Sequence, residues 1–434
     1  MLIWLAIVTP PFQVPDEPAH YRYALAISLG EFLPSVGPDS TIGAVLPTYT
    51  EALIAPTTGL AGHSENRFSG AQRAAIFGVR DDGKTQFTRF SGSDLYAPVI
   101  YAAPALGLAF ARLLDLPPAR AMLAGRISNA LLFVLLCAVA VLIAPAPAHG
   151  PMLAVLLLPM TLFQAASYSA DGPVFALSAL IAALMLREMA SDHQRSTAVG
   201  VAVALAIGIA ASAKIPMMAL VIPLAVVFGR RHWTRGVGLA ILALVLPLAW
   251  YLSAVHLSPH EPTGASHAQQ IAGLLASPTR ILDIAVNTIA TYYDYYLETM
   301  VGVLGSLDTS FPHWIYLFIY FALIATLVAA ALAGPFAAGK SLMAERLALV
   351  VGVILAVGMT YGALYAMWTP VGNPTVLGVQ GRYLIPCLLI LAIAFAGIGR
   401  SRSSGWVSLA IATTAACVWI PATGWLIVIR YYLS

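Results

Sequence analysis

Apolar runs of roughly the length that crosses a bilayer recur from Ala124 to the end of the chain, and no other feature restricts the fold as strongly. A hydrocarbon core of about 30 Å needs ~20 predominantly apolar residues in helical form. Such runs lie at 126–143, 151–168, 173–186, 198–213, 215–228, 237–255, 314–333, 347–368, 383–398 and 406–429. A transmembrane barrel would instead show alternating segments of ~10 residues. Only 9% of the residues are charged, against about 25% in a soluble domain. The expected fold is therefore all-α, a polytopic integral membrane protein built as one domain over residues 1–434.

Basic residues mark alternate connections: Arg187 and Arg195; Arg230, Arg231 and Arg235; Lys340 and Arg346; Arg400 and Arg402. Placing those four loops on the cytoplasmic side satisfies the positive-inside rule with one threading of about 11 transmembrane helices. That threading requires 96–114 not to cross, and it requires a sharp reversal at Lys214-Ile215-Pro216. It gathers outer loops at about 10–95, 256–313 and 369–382 on the opposite face. The net charge of +3 follows from the loop arginines and does not point to nucleic acid. Cys137, Cys387 and Cys417 stand singly inside apolar runs, without metal or disulfide spacing.

The N-terminal stretch MLIWLAIVT before Pro10 is too short to span, which suggests a truncated first helix. Residues 18–29 should form a short helix, with proline in its first turn and Gly30 past its end. Its mixture of Tyr21, Tyr23, Leu25 and Ile27 with His20 and Arg22 suits a helix lying along the bilayer surface. The Gly/Pro/Ser-rich stretch 31–94 reads as a long first outer loop carrying interfacial helices. No Walker sequence, no GxGxxG after a strand and no internal repeat is evident, which leaves an ATP-driven pump or a dinucleotide enzyme without support.

Several polar groups stand out in so apolar a chain. Asp16 and Glu17 lie between Pro15 and Pro18 at a helix start, where backbone N–H groups favour negative charge. One acid suffices for a cap, so two on a proline-stiffened backbone also suit a general base or a metal ligand. His20 lies one turn on. Asp171 in SADGP fits an outer turn, and Lys214 fits a snorkelling residue; ionisable groups at membrane depth are equally candidates for function. Tyr292 to Glu298, YYDYYLE, reads as an aromatic belt, although tyrosines beside carboxylates also suit sugar rings. Arg382 closes a polar loop and has the fork geometry that binds phosphate.

The segments QVPDEPAHYRYALAISLG (13–30), SADG (169–172), AKIP (213–216), LGSLDTSFP (304–312) and GVQGRYLIP (378–386) resemble the signature segments of a bacterial membrane-protein family catalogued as domain of unknown function 2142. That family in turn resembles the GT-C superfamily of integral-membrane glycosyltransferases, which take sugars from polyprenyl-phosphate donors. The resemblance implies an inverting transfer to a cell-envelope glycan, lipid or protein acceptor at the outer (periplasmic) face of the bacterial cytoplasmic membrane. It also implies that Asp16 is the catalytic base, with Glu17 as its partner. Arg126, Lys214 and Arg382 would neutralise the leaving phosphate, and His20, Asp171 and Gln380 would contact substrate. Where a divalent metal (Mg or Mn) is used, Asp16, Glu17 and Asp171 would hold it. A lipid-linked-glycan transporter or polymerase, or a non-catalytic subunit of a surface-polysaccharide assembly system, is the alternative reading.

Overall fold

The computed structural model describes the chain except residues 38–40, 91–95, 192–194, 255–266, 334–339, 398–404 and 434, and except the side chains at 267, 340 and 341. Arg400, Arg402, the Lys340 side chain and the first part of the 256–313 loop therefore lie outside the described residues. Helix α1 (Leu2–Val8) stops just ahead of Pro10 and Pro11, which lack the backbone donors another turn would use. Helix α2 (Glu17–Ser28) has Pro18 in its first turn, and Gly30 adopts φ 95° just beyond it, as the sequence predicts.

The location of α2 differs from expectation. Tyr21, Tyr23, Leu25 and Ala26 are buried within the protein rather than laid against a bilayer. Their partners come from distant parts of the chain, with the rings of Phe90 and Tyr101 at 5.1 and 5.2 Å from that of Tyr23. The first loop also departs from an all-α reading. Strands β1 (Ser35–Val36), β2 (Ile42–Pro47) and β3 (Thr85–Arg89) form an antiparallel sheet in the order β1-β2-β3, with Val45 opposite Phe87. Helices α3 (Tyr49–Ile54) and α4 (Gly70–Gly78) fill the excursion between β2 and β3. Strands paired across so long an insertion carry no hairpin turn signal in the sequence.

Helix α5 (Ala102–Leu113) packs on the N-terminal half of α6 (Pro118–Ile143), where Ser128 Oγ donates to the Ala103 carbonyl at 2.7 Å. Helices α7 (Ala146–Leu156) and α8 (Pro159–Ala165) form a pair bent by 72°. The break falls at Leu158, which Pro159 forces into extended backbone (ψ 143°). Helix α9 (Asp171–Met189) is the centre of the bundle. Its span is 89% buried, whereas the other long apolar helices are 22–39% buried.

Helix α10 (Thr197–Ala213) leads through a 3-10 turn (Ile215–Leu220) into α11 (Val221–Gly229), then α12 (Trp233–Ala254). Gly200 near the start of α10 packs against Phe228 near the end of α11, so the chain does reverse at Lys214. Then come α13 (His267–Ala276), α14 (Arg280–Val301), the two-strand ladder of β4 (Val303–Leu304) with β5 (Thr309–Ser310), α15 (His313–Leu332), α16 (Lys340–Met367), α17 (Ile385–Phe395) and α18 (Trp406–Tyr432).

Among the described residues, six helices are long and apolar enough to cross a membrane, or seven spans with the bent pair, and four shorter apolar helices accompany them. Leu142 and Leu332 are 84% and 82% exposed, a surface suited to lipid and unsuited to water. The molecule is a mainly helical multi-pass membrane protein.

Polar contacts gather at its two ends. At one, Arg195 pairs with Glu345 at 3.0 Å, and the Arg346 guanidinium donates to the carbonyls of Ala394 and Ala396. This joins the connections that the basic residues mark. At the other, the 19 residues of α9 away, or about 28 Å at 1.5 Å per residue, lie Asp16, Asp171, Lys214 and Arg382.

Candidate functional site

Asp16 precedes α2 in the left-handed region (φ 63°), a conformation that Asp tolerates better than most residues. The bend turns its carboxylate outward, where Oδ2 accepts from Arg382 Nη2 at 2.6 Å. The Asp16 side chain is 62% exposed and that of Arg382 only 2%. Arg382 sits on a 3-10 turn (Gly381–Leu384) that leads into α17.

On its inner side Arg382 Nε stands 3.6 Å from Asp171 Oδ2, too far for a hydrogen bond, and this buried donor has no partner. Asp171, in the first turn of α9, is held at Oδ1 by Lys214 Nζ at 2.9 Å. Two carboxylates and two cations thus alternate along one line, Asp16, Arg382, Asp171, Lys214, and their charges cancel.

Aromatic rings wall the line. Lys214 Nζ lies 4.7 Å from the Tyr383 ring centre and 5.3 Å from that of Tyr96, and Arg382 stands 5.3 Å from Tyr383. The His20 ring stacks on Tyr96 at 5.8 Å, and its Nδ1 is 2.6 Å from the Tyr101 hydroxyl. Burial pushes the His20 pKa down to about 4 against the pull of Asp16 and Asp171, so the ring is neutral near pH 7. A neutral ring carries one N–H and one acceptor nitrogen, and its Nδ1 shares one hydrogen bond with the phenol, whose hydroxyl can serve as either partner. Desolvation by the surrounding protein would lift the Asp16 carboxyl, but Arg382 outweighs it and holds the pKa below the ordinary carboxylate value. Burial likewise works against the Lys214 ammonium, and Asp171 more than restores its charge.

Glu17, adjacent in sequence, faces elsewhere. Arg126 donates from Nε and Nη2 to its two carboxylate oxygens at 2.7 and 2.5 Å, both side chains are fully buried, and the Tyr168 N–H also donates to Glu17. The remaining Arg126 donors go to the carbonyls of Ala6, Thr9 and Pro10. All five guanidinium N–H groups are thereby used. Gly125 makes room for this packing, since a Cβ there would lie 2.0 Å from the Tyr168 hydroxyl. The pair ties the end of α1 and the proline turn to α6. Arg126 has no donor left for a phosphate, and Glu17 has no reach to Asp16's partners.

Of the residues singled out in the sequence, Asp16, His20, Asp171, Lys214 and Arg382 come together, and Glu17 and Arg126 form a separate clip. Gln380, two residues before Arg382, has a buried side-chain oxygen without a partner. Sequence reasoning missed Tyr96, Tyr101 and Tyr383. Tyr383 directly follows Arg382, but a chain with 18 tyrosines hides the ones that matter. It also missed the buried pair of Arg430 with Asp308 at 2.8 Å, in which Arg430 further binds the carbonyls of Leu60, His63 and Asn66 and so ties α18 to the first loop. As for a metal, Glu17 is diverted and the other two carboxylates each face a cation. No group of three or more His, Cys, Asp or Glu side chains is arranged to hold a metal among the described residues.

The family described as "predicted membrane protein (DUF2142)" matches the chain over residues 1–391. The chain belongs to the DUF2142 family. The matched region contains the whole cluster from Asp16 to Tyr383 and the partners of Arg430, and in this DUF2142 protein it ends short of Arg430 itself. No curated protein and no solved structure matches the chain.

Proposed function

We propose that this DUF2142 protein is a GT-C-like integral-membrane glycosyltransferase, moving a sugar from a polyprenyl-phosphate donor to a cell-envelope acceptor at the outer face of the bacterial cytoplasmic membrane. The observation that carries the reading is the line Asp16, Arg382, Asp171, Lys214: one open carboxylate backed by a buried and a half-buried cation at the end of the bundle away from the basic connections. In the accompanying topology, α6, the α7–α8 pair, α9, α10, 215–229, α12, α15, α16, α17 and α18 make ten crossings, and α1, too short to span, packs beside the cluster end of α18. The positive-inside rule then puts the cluster outside.

The chemistry follows from the charges. A donor phosphate entering the line takes Arg382 and Lys214 as its counter-ions, and Arg382 has a free Nε to offer. Asp16, released from Arg382, loses the charge that depresses its pKa and becomes a better base. It accepts the proton of the acceptor hydroxyl as that oxygen attacks the anomeric carbon in line. The bond from that carbon to the phosphate oxygen breaks, its electron pair leaves with the lipid phosphate, and the configuration inverts. Arg382 and Lys214 stabilise the charge that develops on the leaving group. Neutral His20 holds the Tyr96 and Tyr101 walls without adding charge.

The test is purified protein in lipid nanodiscs with a radiolabelled polyprenyl-phosphate sugar and lipid or glycan acceptors. Transfer should fall by about 10²–10⁴ in Asp16→Asn, the usual range for a lost general base. Transfer that survives this substitution would remove the catalytic assignment and favour a non-catalytic role in polysaccharide assembly.

A further inference from the structure

Helix α14 carries three stripes where a helix between protein and water needs two. Ile284, Thr288, Tyr296 and Thr299 are buried. Here Thr288 Oγ1 accepts from the Val376 N–H at 2.9 Å and Thr299 Oγ1 accepts from the Gly381 N–H at 2.8 Å. A second stripe, Leu282, Val286, Ile289, Tyr293 and Leu297, is apolar yet exposed, from 69% at Leu282 to 42% at Leu297. The third is polar: Arg280, Asp283, Asn287, Asp294 and Glu298. At about 100° per residue the three stripes are centred roughly 120° apart, so the exposed apolar stripe flanks the buried one on one side and the polar stripe flanks it on the other.

Depth supplies a second observation. The Tyr320 hydroxyl donates to the Leu297 carbonyl at 2.7 Å. The Tyr316 hydroxyl likewise donates to the carbonyl of Gly302, the residue after α14, at 2.9 Å. Tyr316 and Tyr320 stand three and seven residues after His313, the first residue of the apolar span α15, so the last turns of α14 lie beside the outer turns of that span, ~5–10 Å below its end. Amphipathic helices that rest in a membrane surface bury their apolar face to ~5–10 Å.

We propose that α14 is a membrane-surface helix whose 282/286/289/293/297 stripe sits among lipid acyl chains at the cluster end of the bundle, with its polar stripe in water. Its third face then acts on the cluster. Gly381 immediately precedes Arg382, and a Cβ on Gly381 would stand 1.9 Å from the Tyr296 carbonyl oxygen, so α14 fixes where the Arg382 backbone lies. The bilayer, through α14, sets the position of Arg382. This does not depend on the transferase reading.

The test is a spin-label scan in phosphatidylethanolamine/phosphatidylglycerol nanodiscs, with the native cysteines Cys137, Cys387 and Cys417 replaced by serine or alanine. Single cysteines go in at Leu282, Asp283, Val286, Asn287, Ile289, Tyr293, Asp294 and Leu297. The ratio of collision with oxygen to collision with a water-soluble nickel chelate should oscillate with a period of about 3.6 residues. Its maxima should fall at Val286, Ile289 and Tyr293 and its minima at Asp283, Asn287 and Asp294. A label that prevents folding at one position leaves the phase readable from the rest. Nickel access that is equal all round the helix overturns the proposal. Spin–spin broadening along the apolar stripe that vanishes on dilution with unlabelled chain overturns it too, by assigning the stripe to a second copy.

Discussion

Asp16 and Glu17 are neighbours in sequence and belong to two different kinds of charge arrangement. Glu17 and Arg126 form a closed pair: both are fully buried and every guanidinium donor is used. Asp16 and Arg382 form an open one, with a carboxylate 62% exposed, a guanidinium 2% exposed and a buried Nε without a partner. A saturated pair can hold a backbone in place but has nothing to give a ligand. An unsaturated pair at the mouth of a cationic line is disposed to exchange its partner.

The sharpest way to break this comparison is to remove one member of the closed pair. Arg126→Met leaves the Glu17 carboxylate buried and uncompensated, which typically costs about 3–5 kcal/mol. The measurement is thermal unfolding in nanodiscs, where a large drop is expected. Adding Glu17→Met should recover part of it, because the stranded charge disappears. A normal unfolding temperature with lost transfer would instead move Arg126 into the functional site.

Next in size is Arg382→Lys in the open pair. Lysine keeps the charge that faces Asp16 and Asp171 but loses the planar fork. Transfer should fall by about 10²–10³, the usual loss when one donor to developing negative charge is removed, while the unfolding temperature changes little. Equal losses of fold and rate would erase the distinction between the two pairs.

The distinction was only half legible in the sequence. The charged residues of the cluster stand out because so few occur in apolar surroundings, and Asp171, Lys214 and Arg382 could be brought to one end by alternating the basic connections. What the sequence hides is direction. Asp16 lies outside the helix at φ 63° and Glu17 is its first residue, so one backbone torsion sends adjacent acids to different partners. The spans are legible from apolar length alone. The sheet of the first loop is not, since IGAVLP and TQFTR pair across an insertion, and neither is the burial of α2, which depends on partners such as Phe90 and Tyr101.

A pH titration sharpens the open side further. His20 has a folded pKa of about 4, below its unfolded value of 6.5. The unfolded chain therefore binds more protons between those values, and stability present above pH 6.5 is lost as pH falls towards 4. At 1.36 kcal/mol per unit the buried ring accounts for roughly 3 kcal/mol at most. Asp16, with a folded pKa below normal, acts in the same direction at lower pH. His20→Asn keeps a hydrogen-bonding side chain beside Tyr101 and removes the titration, so its unfolding temperature should fall less between pH 7 and pH 4.5. Parallel curves for the two proteins would mean that folding does not shift the His20 pKa.

The smallest expected effect is the most discriminating. Asp16→Asn removes one side of an ion pair whose acid is largely in solvent, and exposed pairs are worth about 0–1 kcal/mol. Arg382 keeps Asp171 nearby at 3.6 Å, so its charge is not stranded. The unfolding temperature of Asp16→Asn should therefore stay close to that of the native chain under conditions where Arg126→Met has lost most of its stability. Asparagine also retains a side-chain oxygen that can accept from Arg382, so any fall in transfer must come from the lost charge and basicity. A large loss of stability in Asp16→Asn would show that Asp16 is a structural clip like Glu17, and that the proline-flanked turn holds two anchors and no base.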